Sequence, residues 1–412
     1  MERRSFEYIV IGCGGIGSAA LYWLSKRVGA GVLGIEQFEI GHSNGGSQDH
    51  SRIIRTAYHD EMYTKIVADT YTAFEEAEKE SGVKLVHKCG GLLIAKKGET
   101  DDVATKYANA MASQDLPFEW LPGNKLKEKF PQFEHTENHV AVYEKDGGLV
   151  DAAMANAVHI QLAKGNGAAV IEHCPVNRLT KQTNGQTTVH TTKGNFTCKK
   201  VIVTAGAWLN QVLGSIGVHI PVYVTQEQVT YLGTPHVKDF VKEKFPIFIY
   251  HSKDHDMYAL PLHGNTGFKI GIDAGGPVVT AGTRNFTPDP VREKKCLDFI
   301  QKILPKALGP ILYTKTCLYT MTPDRNFVID TCHRQGHENV IICNGAGHAF
   351  KWSALLGKIL SEMAIDGRTQ YDIAAFTMDR DAISNPNYKT TIFEGGSLSG
   401  GKDHANDSKS KL

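Results

Sequence analysis

The sequence predicts an α/β protein built on a parallel sheet with a dinucleotide-binding turn. Residues 8–11 form a short apolar run, which is typical of a strand buried on both faces. The run leads into Gly12-x-Gly14-x-x-Gly17 and then into a helical pattern. A second strand pattern ends at Glu36, where a dinucleotide fold places the acid that binds a ribose hydroxyl. Strand, glycine turn, helix and acid in this order predict a Rossmann-type unit.

Composition and charge exclude several classes of function for this chain of 412 residues. Charged residues make up 22% and the net charge is +1, so the sequence has no basic field for nucleic acid or an anionic membrane. No run of about eighteen apolar residues occurs, so we expect no membrane span. The N-terminus lacks the pattern of a signal peptide. The eight cysteines are scattered without a Cys-x-x-Cys pair, which predicts a reducing compartment and neither a disulfide framework nor a zinc site.

The middle of the chain alternates between two kinds of region. Helical patterns over residues 63–81 are followed by a strand-like stretch, residues 85–96, and by lysine-rich amphipathic helices, which we interpret as an inserted domain. A strand pattern at residues 199–203 then runs into a glycine turn and a helix, which indicates that the dinucleotide sheet resumes there. Short strands with turns rich in glycine, proline and aspartate follow over residues 222–275 and predict an antiparallel sheet.

Four residues in that antiparallel region have side chains that can bind metal ions. They are His251, Asp254, His255 and Asp256. Because a serine and a lysine separate the first histidine from the others, a hairpin turn is the better interpretation. We therefore predict no metal site.

Arg52 and Arg55 flank two isoleucines in a segment that follows a loop rich in turn-forming residues. A solvated helix face is one interpretation of this pair of arginines. The two isoleucines favour a partly buried segment instead, in which each guanidinium needs an anion.

The C-terminal third contains an electropositive turn at the start of a helix. A strand pattern over residues 340–343 ends in the turn 344–347, and His348 and Lys351 follow at the helix N-terminus. The free amides, the helix dipole and the ammonium group together attract an anion. Taken singly, His348 is also typical of a neighbour of the N-cap, Lys351 of a surface lysine and Cys317 of an inert buried thiol.

The sequence ends in Ser410-Lys411-Leu412, which at a free C-terminus is the address that the peroxisomal import receptor binds. The residues before it, 395–409, are polar and rich in glycine and serine, which predicts a flexible tail that leaves the tripeptide accessible. We therefore expect a peroxisomal location and a contact with the import receptor.

Five motifs along the chain form a highly specific combination. They are Gly12–Gly17, Arg52-Ile53-Ile54-Arg55, Thr204-Ala205-Gly206-Ala207-Trp208, Cys317-x-Tyr319-Thr320-x-Thr322-Pro323-Asp324 and Gly347-His348-x-Phe350-Lys351. With these motifs, the chain resembles the monomeric sarcosine oxidase, N-methyltryptophan oxidase and pipecolate oxidase family of flavoenzymes over roughly residues 5–390. The resemblance implies the fold, the cofactor and the roles of the site residues.

The resemblance implies FAD as the cofactor, attached through its 8α-methyl group to the thiol of Cys317. Arg52 and Lys269 would flank the flavin ring, with Lys269 as the base that activates oxygen. Cationic groups there would stabilise the anionic reduced flavin. The resemblance further implies these cofactor contacts: Gly12, Gly14, Gly15, Ile16, Gly17, Glu36, Gln37, Ser47, Val176, Gly345, Gly347, His348 and Lys351.

The resemblance also implies how the substrate binds. Arg55 and Lys351 would bind its carboxylate, and a guanidinium together with an ammonium holds a carboxylate in a fixed pose. His348, Tyr258 and Tyr319 would surround the amine and act in the chemical step.

Two departures separate this chain from the pattern of its relatives. Relatives commonly carry Gly-Ser-Ser-His-Gly ahead of the two arginines, whereas this chain has Gly46-Ser47-Gln48-Asp49-His50-Ser51. Relatives also have glycine where Ala349 stands. The first change falls in a loop beside the flavin, so it affects the prediction of the substrate more than that of the chemistry.

The predicted fold is an α/β Rossmann-type FAD-binding domain with an interleaved α+β substrate domain on a mainly antiparallel sheet. The predicted boundaries are 1–87, 148–220 and 315–372 for the FAD domain, 88–147, 221–314 and 373–394 for the substrate domain, and 395–412 for the tail.

The predicted reaction is oxidation of a secondary or N-methyl amino acid, of the sarcosine or L-pipecolate type, to an imine. O₂ would be reduced to H₂O₂, and the enzyme would act as a monomer. One alternative is a flavin dehydrogenase with a protein acceptor, which would share every motif except a working Lys269. Another is an oxidase of fructosyl (glycated) amino acids. A non-catalytic nucleotide-binding protein would need neither Cys317, Arg55 nor Lys351.

Overall fold

The computed structural model describes residues 3–390, so the predicted tail and its terminal tripeptide lie outside the described residues. Twenty-one strands form within the described part. They are β1 (Tyr8–Ile11), β2 (Val32–Ile35), β3 (Arg52–Ile54), β4 (Val86–Lys88), β5 (Gly91–Lys96), β6 (Glu119–Pro122), β7 (His139–Glu144), β8 (Gly148–Val150), β9 (Ala169–Ile171), β10 (Val176–Lys181), β11 (Thr187–Thr191), β12 (Gly194–Cys198), β13 (Lys200–Val203), β14 (Tyr223–Leu232), β15 (Ile247–His251), β16 (Met257–Leu260), β17 (Phe268–Ile272), β18 (Val278–Val279), β19 (Ile311–Met321), β20 (Val328–Cys332) and β21 (His337–Asn344).

Ten α-helices connect the strands of residues 3–390. They are α1 (Gly15–Val28), α2 (Glu61–Thr64), α3 (Val67–Ser81), α4 (Asp101–Ala112), α5 (Gly123–Lys129), α6 (Ala152–Gly165), α7 (Leu209–Leu213), α8 (Pro290–Ile303), α9 (Ser353–Asp366) and α10 (Asp381–Ser384). A 3₁₀ turn, Phe350–Trp352, precedes α9. None of the described helices is both long and apolar enough to cross a bilayer.

Six strands form a mostly parallel sheet in the order β20-β21-β13-β1-β2-β9. Strand β1 pairs in parallel with β2 on one side and with β13 on the other, and β21 continues the parallel run. All residues of β1 and β2 are buried, because α1 and α9 cover one face and α7 together with strands β10 to β12 covers the other. Val10 packs in the cluster that contains the residues of α1 and α9, whereas Ile9 packs with Leu209 and Val212 of α7. The predicted Rossmann-type arrangement is confirmed, including the return of the sheet at β13.

Nine strands form a second sheet in the order β18-β14-β17-β16-β15-β5-β7-β6, with β19 paired to β14. All its pairings are antiparallel except that of β15 with β5. Its strands come from two separate parts of the chain, which gives the interleaving that the sequence predicted. One face packs on a cluster rich in phenylalanine, to which α5 and α8 contribute.

A small sheet in the order β3-β8-β4 connects the two large sheets. Strand β3 begins at Arg52, and β8 pairs with it in antiparallel register. A further small sheet, β10-β11-β12, lies in the segment between β9 and β13. The chain therefore passes into the nine-stranded sheet after β4 and leaves it before β8.

One predicted domain boundary is wrong at strand β19. This strand pairs along its length with β14, and Cys317 lies opposite Glu227 in the register. Residues 315–321 therefore belong to the sheet of the predicted substrate domain, not to the FAD domain. The hydrogen-bonding partner of β19 is a strand far away in the chain, and the alternation of side chains within a strand does not encode which sheet it joins.

A second boundary differs near residue 373. Phe376 is fully buried against Tyr63 and Phe327, in the cluster that supports the six-stranded sheet. The backbone N–H of Met378 donates a hydrogen bond to Asp330 at 2.8 Å. Phe376 and Met378 therefore pack on the elements around the six-stranded sheet, whereas the sequence assigned them to the substrate domain. The remaining boundaries stay a prediction.

Candidate active site

One cavity extends from the glycine turn after β1 to strands β16, β17 and β19 of the nine-stranded sheet. The predicted site residues that line it are Gly12, Gly14, Gly15, Ile16, Glu36, Gln37, Ser47, Arg52, Arg55, Val176, Tyr258, Lys269, Cys317, Tyr319, Gly345, Gly347, His348 and Lys351. Gly17 lies behind the turn, where a Cβ atom would come within 1.8 Å of the carbonyl oxygen of Gly12. Gly17 is thus required for the close approach of α1 to the strand rather than as part of the wall.

The glycine turn has the shape that a dinucleotide diphosphate requires. Gly12 has φ +88°, and a Cβ there would lie 2.7 Å from the carbonyl oxygen of Thr204. Helix α1 begins at Gly15, and its N-cap, Gly14, has no side chain that could cover the first backbone N–H groups. A Cβ on Gly14 would come within 2.8 Å of the hydroxyl of Ser47. The helix N-terminus therefore faces the cavity and suits an anionic phosphate.

Glu36 lies directly after β2 and provides an ionised carboxylate in this end of the cavity. It accepts hydrogen bonds from the backbone N–H groups of Cys13 at 2.9 Å and Phe38 at 3.1 Å, and His42 lies 3.4 Å away. Burial raises its pKa, but these contacts outweigh burial and keep the pKa below its ordinary value. An ionised acid at this place suits a ribose hydroxyl, so both features of this end fit a dinucleotide such as FAD.

The opposite end of the cavity is formed by the nine-stranded sheet. Cys317 and Tyr319 are two positions apart on β19, so both side chains point to the same face. Burial raises the pKa of the Cys317 thiol above its ordinary value, and the neighbouring guanidinium of Arg52 opposes this shift. The structure places the thiol beside the cation that would favour its reactive thiolate form.

Lys269 and Arg52 meet at a buried carboxylate in this end of the cavity. Lys269 Nζ lies 2.7 Å from Asp49 and also donates to the carbonyl oxygen of Ser51 at 2.6 Å. Arg52 forms an ion pair with the same carboxylate. The sequence analysis predicted that the partly buried guanidinium of Arg52 needs an anion. Asp49 of the preceding loop is that anion.

Arg55, the second arginine of the pair, has a different environment. Its Nε and Nη1 atoms are buried and have no hydrogen-bond partner among residues 3–390. The guanidinium lies 4.7 Å from the ring centre of Tyr58 and 5.4 Å from that of Tyr107. The aromatic rings orient this cation without neutralising it, so its N–H groups suit an external anion.

Lys351 is the second cation in this part of the cavity. Its Nζ atom donates to the carbonyl oxygen of His348 at 2.8 Å and lies 5.8 Å from the ring centre of Tyr58. Burial and the nearby charge of Arg55 lower its pKa to about 7. Two cations thus share one aromatic ring, and a carboxylate placed between them would relieve their repulsion.

The three residues predicted to surround the amine are uncharged. His348 Nε2 donates to the carbonyl oxygen of Arg325 at 2.9 Å, which leaves its Nδ1 as an acceptor. Burial holds the pKa of His348 well below its ordinary value, so the ring is neutral. Burial also raises the pKa values of Tyr258 and Tyr319, which keeps both phenols protonated.

Two polar pairs in the cavity wall escaped the sequence analysis. Asp273 and Arg325 contact each other at 3.2 Å. Asp273 follows β17 directly, so its position after a predicted strand was the available signal. His251 and Asp256 contact each other at 2.9 Å across the hairpin of β15 and β16. The predicted hairpin is confirmed, but its two polar residues also line the cavity.

Comparison with known proteins supports one assignment over most of the chain. Residues 7–363 match the family described as FAD dependent oxidoreductase (DAO). A monomeric sarcosine oxidase of Arthrobacter sp. (strain TE1826) is 31% identical over 384 residues, which cover 92% of this chain and 98% of the relative. The N-methyl-L-tryptophan oxidase of Escherichia coli (strain K12) is 28% identical over 379 residues, which cover 91% of this chain and 99% of that enzyme.

The fold is also similar to that of solved structures. The open form of NikD, an unusual amino acid oxidase essential for nikkomycin biosynthesis, superposes with a TM-score of 0.80 at 21% identity. The match covers 91% of this chain and 97% of NikD. At this identity, the likeness supports the fold and leaves the substrate open.

Proposed function

The chain belongs to the FAD-dependent oxidoreductase family, and from this premise we propose that it oxidises a secondary or N-methyl amino acid to an imine. FAD, when bound, would supply the redox chemistry: it would accept the two electrons and pass them with two protons to O₂, which yields H₂O₂, and water would hydrolyse the imine. The names of its relatives, sarcosine oxidase and N-methyl-L-tryptophan oxidase, support this class of substrate. One relative is described as monomeric, and we propose the same state for this chain.

The observation that carries the proposal is the pair Arg55 and Lys351. The guanidinium of Arg55 has two buried nitrogen atoms, Nε and Nη1, without a hydrogen-bond partner in the described part of the chain, and both Arg55 and Lys351 lie against the ring of Tyr58. A substrate carboxylate would supply the missing acceptor and bridge the two cations. The amine of the same molecule would then lie near the neutral groups of His348, Tyr258 and Tyr319. A plain amine would leave both cations unpaired, so an amino acid fits the site better.

The proposed roles of the flavin-side residues follow from the same cavity. FAD would be held by the glycine turn and Glu36 at one end, and we propose a thioether to Cys317 at the other. Arg52 and Lys269 would place positive charge beside the ring, where negative charge develops on reduction. Lys269 would also stabilise the negative charge that O₂ gains when it is reduced.

A flavin dehydrogenase with a protein acceptor is the second candidate, and one contact favours it. Lys269, which would have to serve oxygen, is engaged by Asp49 at 2.7 Å. A lysine whose charge is compensated lends less positive charge to reduced oxygen. Oxygen uptake without an added acceptor separates the oxidase from the dehydrogenase.

Turnover of a substrate panel tests the proposed function. The purified enzyme should consume O₂ and release H₂O₂ with at least one of sarcosine, other N-methyl amino acids, L-pipecolate, L-proline or a glycated amino acid. N-methylated amines that lack the carboxylate are the matched controls and should react far more slowly. Reaction only with an artificial electron acceptor would favour the dehydrogenase. Equal rates with and without the carboxylate would contradict amino-acid oxidation.

We also propose that the enzyme acts in peroxisomes, where catalase-type removal of H₂O₂ suits a peroxide producer. The support is the terminal Ser410-Lys411-Leu412, outside the described residues. A fluorescent protein fused ahead of the full chain should give a punctate pattern that coincides with a peroxisomal marker. Deletion of the tripeptide should make the pattern diffuse. If both fusions are distributed alike, the proposed address is wrong.

A further inference from the structure

Asp49 is a buried acid that contacts both cations of the proposed flavin site. One carboxylate oxygen lies 2.7 Å from Lys269 Nζ and also pairs with Arg52. The other accepts hydrogen bonds from the hydroxyl of Tyr231 at 2.5 Å and from the backbone N–H of His50 at 2.9 Å. Every oxygen of Asp49 is therefore satisfied by a donor, and the carboxylate is fixed in orientation.

The cluster is closed to water on the side of Asp49. The side chains of Asp49 and Lys269 are each 2% exposed. Lys269 lines the cavity, whereas Asp49 lies behind it. Charges interact strongly in such a site because little solvent screens them. Asp49 can therefore affect the field in the cavity without touching a ligand there.

Several elements contribute titratable or charged groups to this cluster. The groups that face Lys269 and its partners are Asp49, His50, Arg52, Tyr231 of β14, Tyr258 of β16, and Tyr313, Lys315, Cys317 and Tyr319 of β19. Burial lowers the pKa of Lys269 to about 8, while Asp49 opposes this shift and Arg52 adds to it. Lys269 and Arg52 hold the pKa of Asp49 well below its ordinary value, so Asp49 stays ionised.

We propose that Asp49 is a positioning residue that sets the charge presented to the flavin: it anchors Lys269 in its ammonium form and cancels one of the two positive charges of Lys269 and Arg52. The inference rests on the proposed function, because it requires the flavin ring to bind in the part of the cavity lined by these two cations.

The expected consequence is a flavin with a lower reduction potential than the two cations alone would give. Reduced flavin carries negative charge, and each positive charge beside the ring stabilises it. While Lys269 is protonated, the cluster carries one net positive charge. It carries none once Lys269 loses its proton. The potential should therefore contain a contribution that is present below the pKa of Lys269 and is lost as the pH rises through about 8.

Asp49→Asn tests the proposal because asparagine has nearly the same shape without the charge. The midpoint potential of the bound flavin is measured across the neutral to alkaline range in the purified holoenzyme. In the variant, the Lys269 contribution should titrate at lower pH than in the wild type, since the anion that favours its charged form is gone. Below that pH, the potential should be higher than that of the wild type. Lys269→Met should abolish the contribution in either background.

Glu227→Gln is the matched control. Glu227 of β14 has the same 2% side-chain exposure, pairs with Arg292 of α8 at 2.6 Å, and does not line the cavity. This variant should leave the pH profile of the potential unchanged. An unchanged profile in Asp49→Asn, or an equal shift in Glu227→Gln, would overturn the proposal.

If Asp49→Asn does not yield folded holoenzyme, the proposal is tested by comparing the pH profile of the flavin potential in the wild type with that in Lys269→Met. The proposal then requires that the wild-type profile contains a contribution near pH 8 that Lys269→Met removes. It is overturned if the two profiles coincide. Oxygen uptake with the substrate panel is measured on the same preparations. A flavin-loaded enzyme that oxidises no amino acid would contradict the proposed function, whereas the potentials would still test the role of Asp49.

Discussion

In the Cys317→Ser variant, the flavin should appear in the supernatant after acid precipitation, whereas the wild-type pellet should stay yellow. Serine cannot form the thioether that we propose between Cys317 and the 8α-methyl group. The thiol is buried in the cavity wall at the end opposite the glycine turn, where the flavin ring would lie if the diphosphate binds at Gly12–Gly17. Arg52 beside it favours the thiolate that would attack. The effect should be complete, since one covalent bond holds the flavin through denaturation.

Three other cysteines of the cavity wall provide the controls. Cys13, Cys174 and Cys343 are buried, free and also line the cavity. Replacement of Cys174 or Cys343 by serine should leave the flavin attached after acid treatment. Free flavin from the wild-type protein, or a yellow pellet from Cys317→Ser, would contradict the linkage. Four buried thiols line the cavity, and the choice of Cys317 rests on its place at the end away from the glycine turn together with the resemblance of its motif.

The sequence predicted the features of the fold that are encoded locally. The glycine turn and Glu36 lie within one strand–helix–strand unit, and side-chain periodicity is sufficient to find them. The pattern of short strands with turns rich in glycine, proline and aspartate also indicated the antiparallel sheet. It did not indicate that β19 pairs with β14, because register with a distant strand depends on the assembled sheet.

The candidate site was predicted through motifs, and two of its unforeseen contacts join distant positions. Asp49 meets Lys269 from a strand of the other large sheet, and Asp273 meets Arg325 across two strands. No periodicity links such residues, since the fold alone brings them together. Asp49 was visible in the sequence only as a departure from the loop of the relatives. The sequence analysis relates this loop to the choice of substrate, whereas the contacts of Asp49 relate it to the charge beside the proposed flavin site.

Arg55→Met should lower kcat/KM for the best amino-acid substrate by about one to two orders of magnitude. In a site poor in water, a charge-assisted hydrogen bond to a carboxylate contributes roughly 1.5–3 kcal/mol, and about 1.4 kcal/mol corresponds to a factor of ten. The flavin spectrum and the Cys317 linkage should be largely retained, because Arg55 contacts the tyrosines of the cavity rather than Asp49. The methyl ester of the substrate is the matched ligand. The wild type should oxidise this ester with a low kcat/KM, and Arg55→Met should lower that value only a little further.

The contribution of Lys351 to carboxylate binding should appear in the pH dependence of that binding. A carboxylate without a reactive amine should compete with the substrate and perturb the flavin spectrum of the wild type. Lys351 carries its charge below its pKa of about 7, so the affinity should be highest below this pH and fall as the pH rises through it. Lys351→Met should remove this dependence, and Arg55→Met should weaken binding at every pH. Normal turnover by Arg55→Met, or an ester that reacts as well as the acid, would leave Arg55 as a structural cation held by Tyr58 and Tyr107.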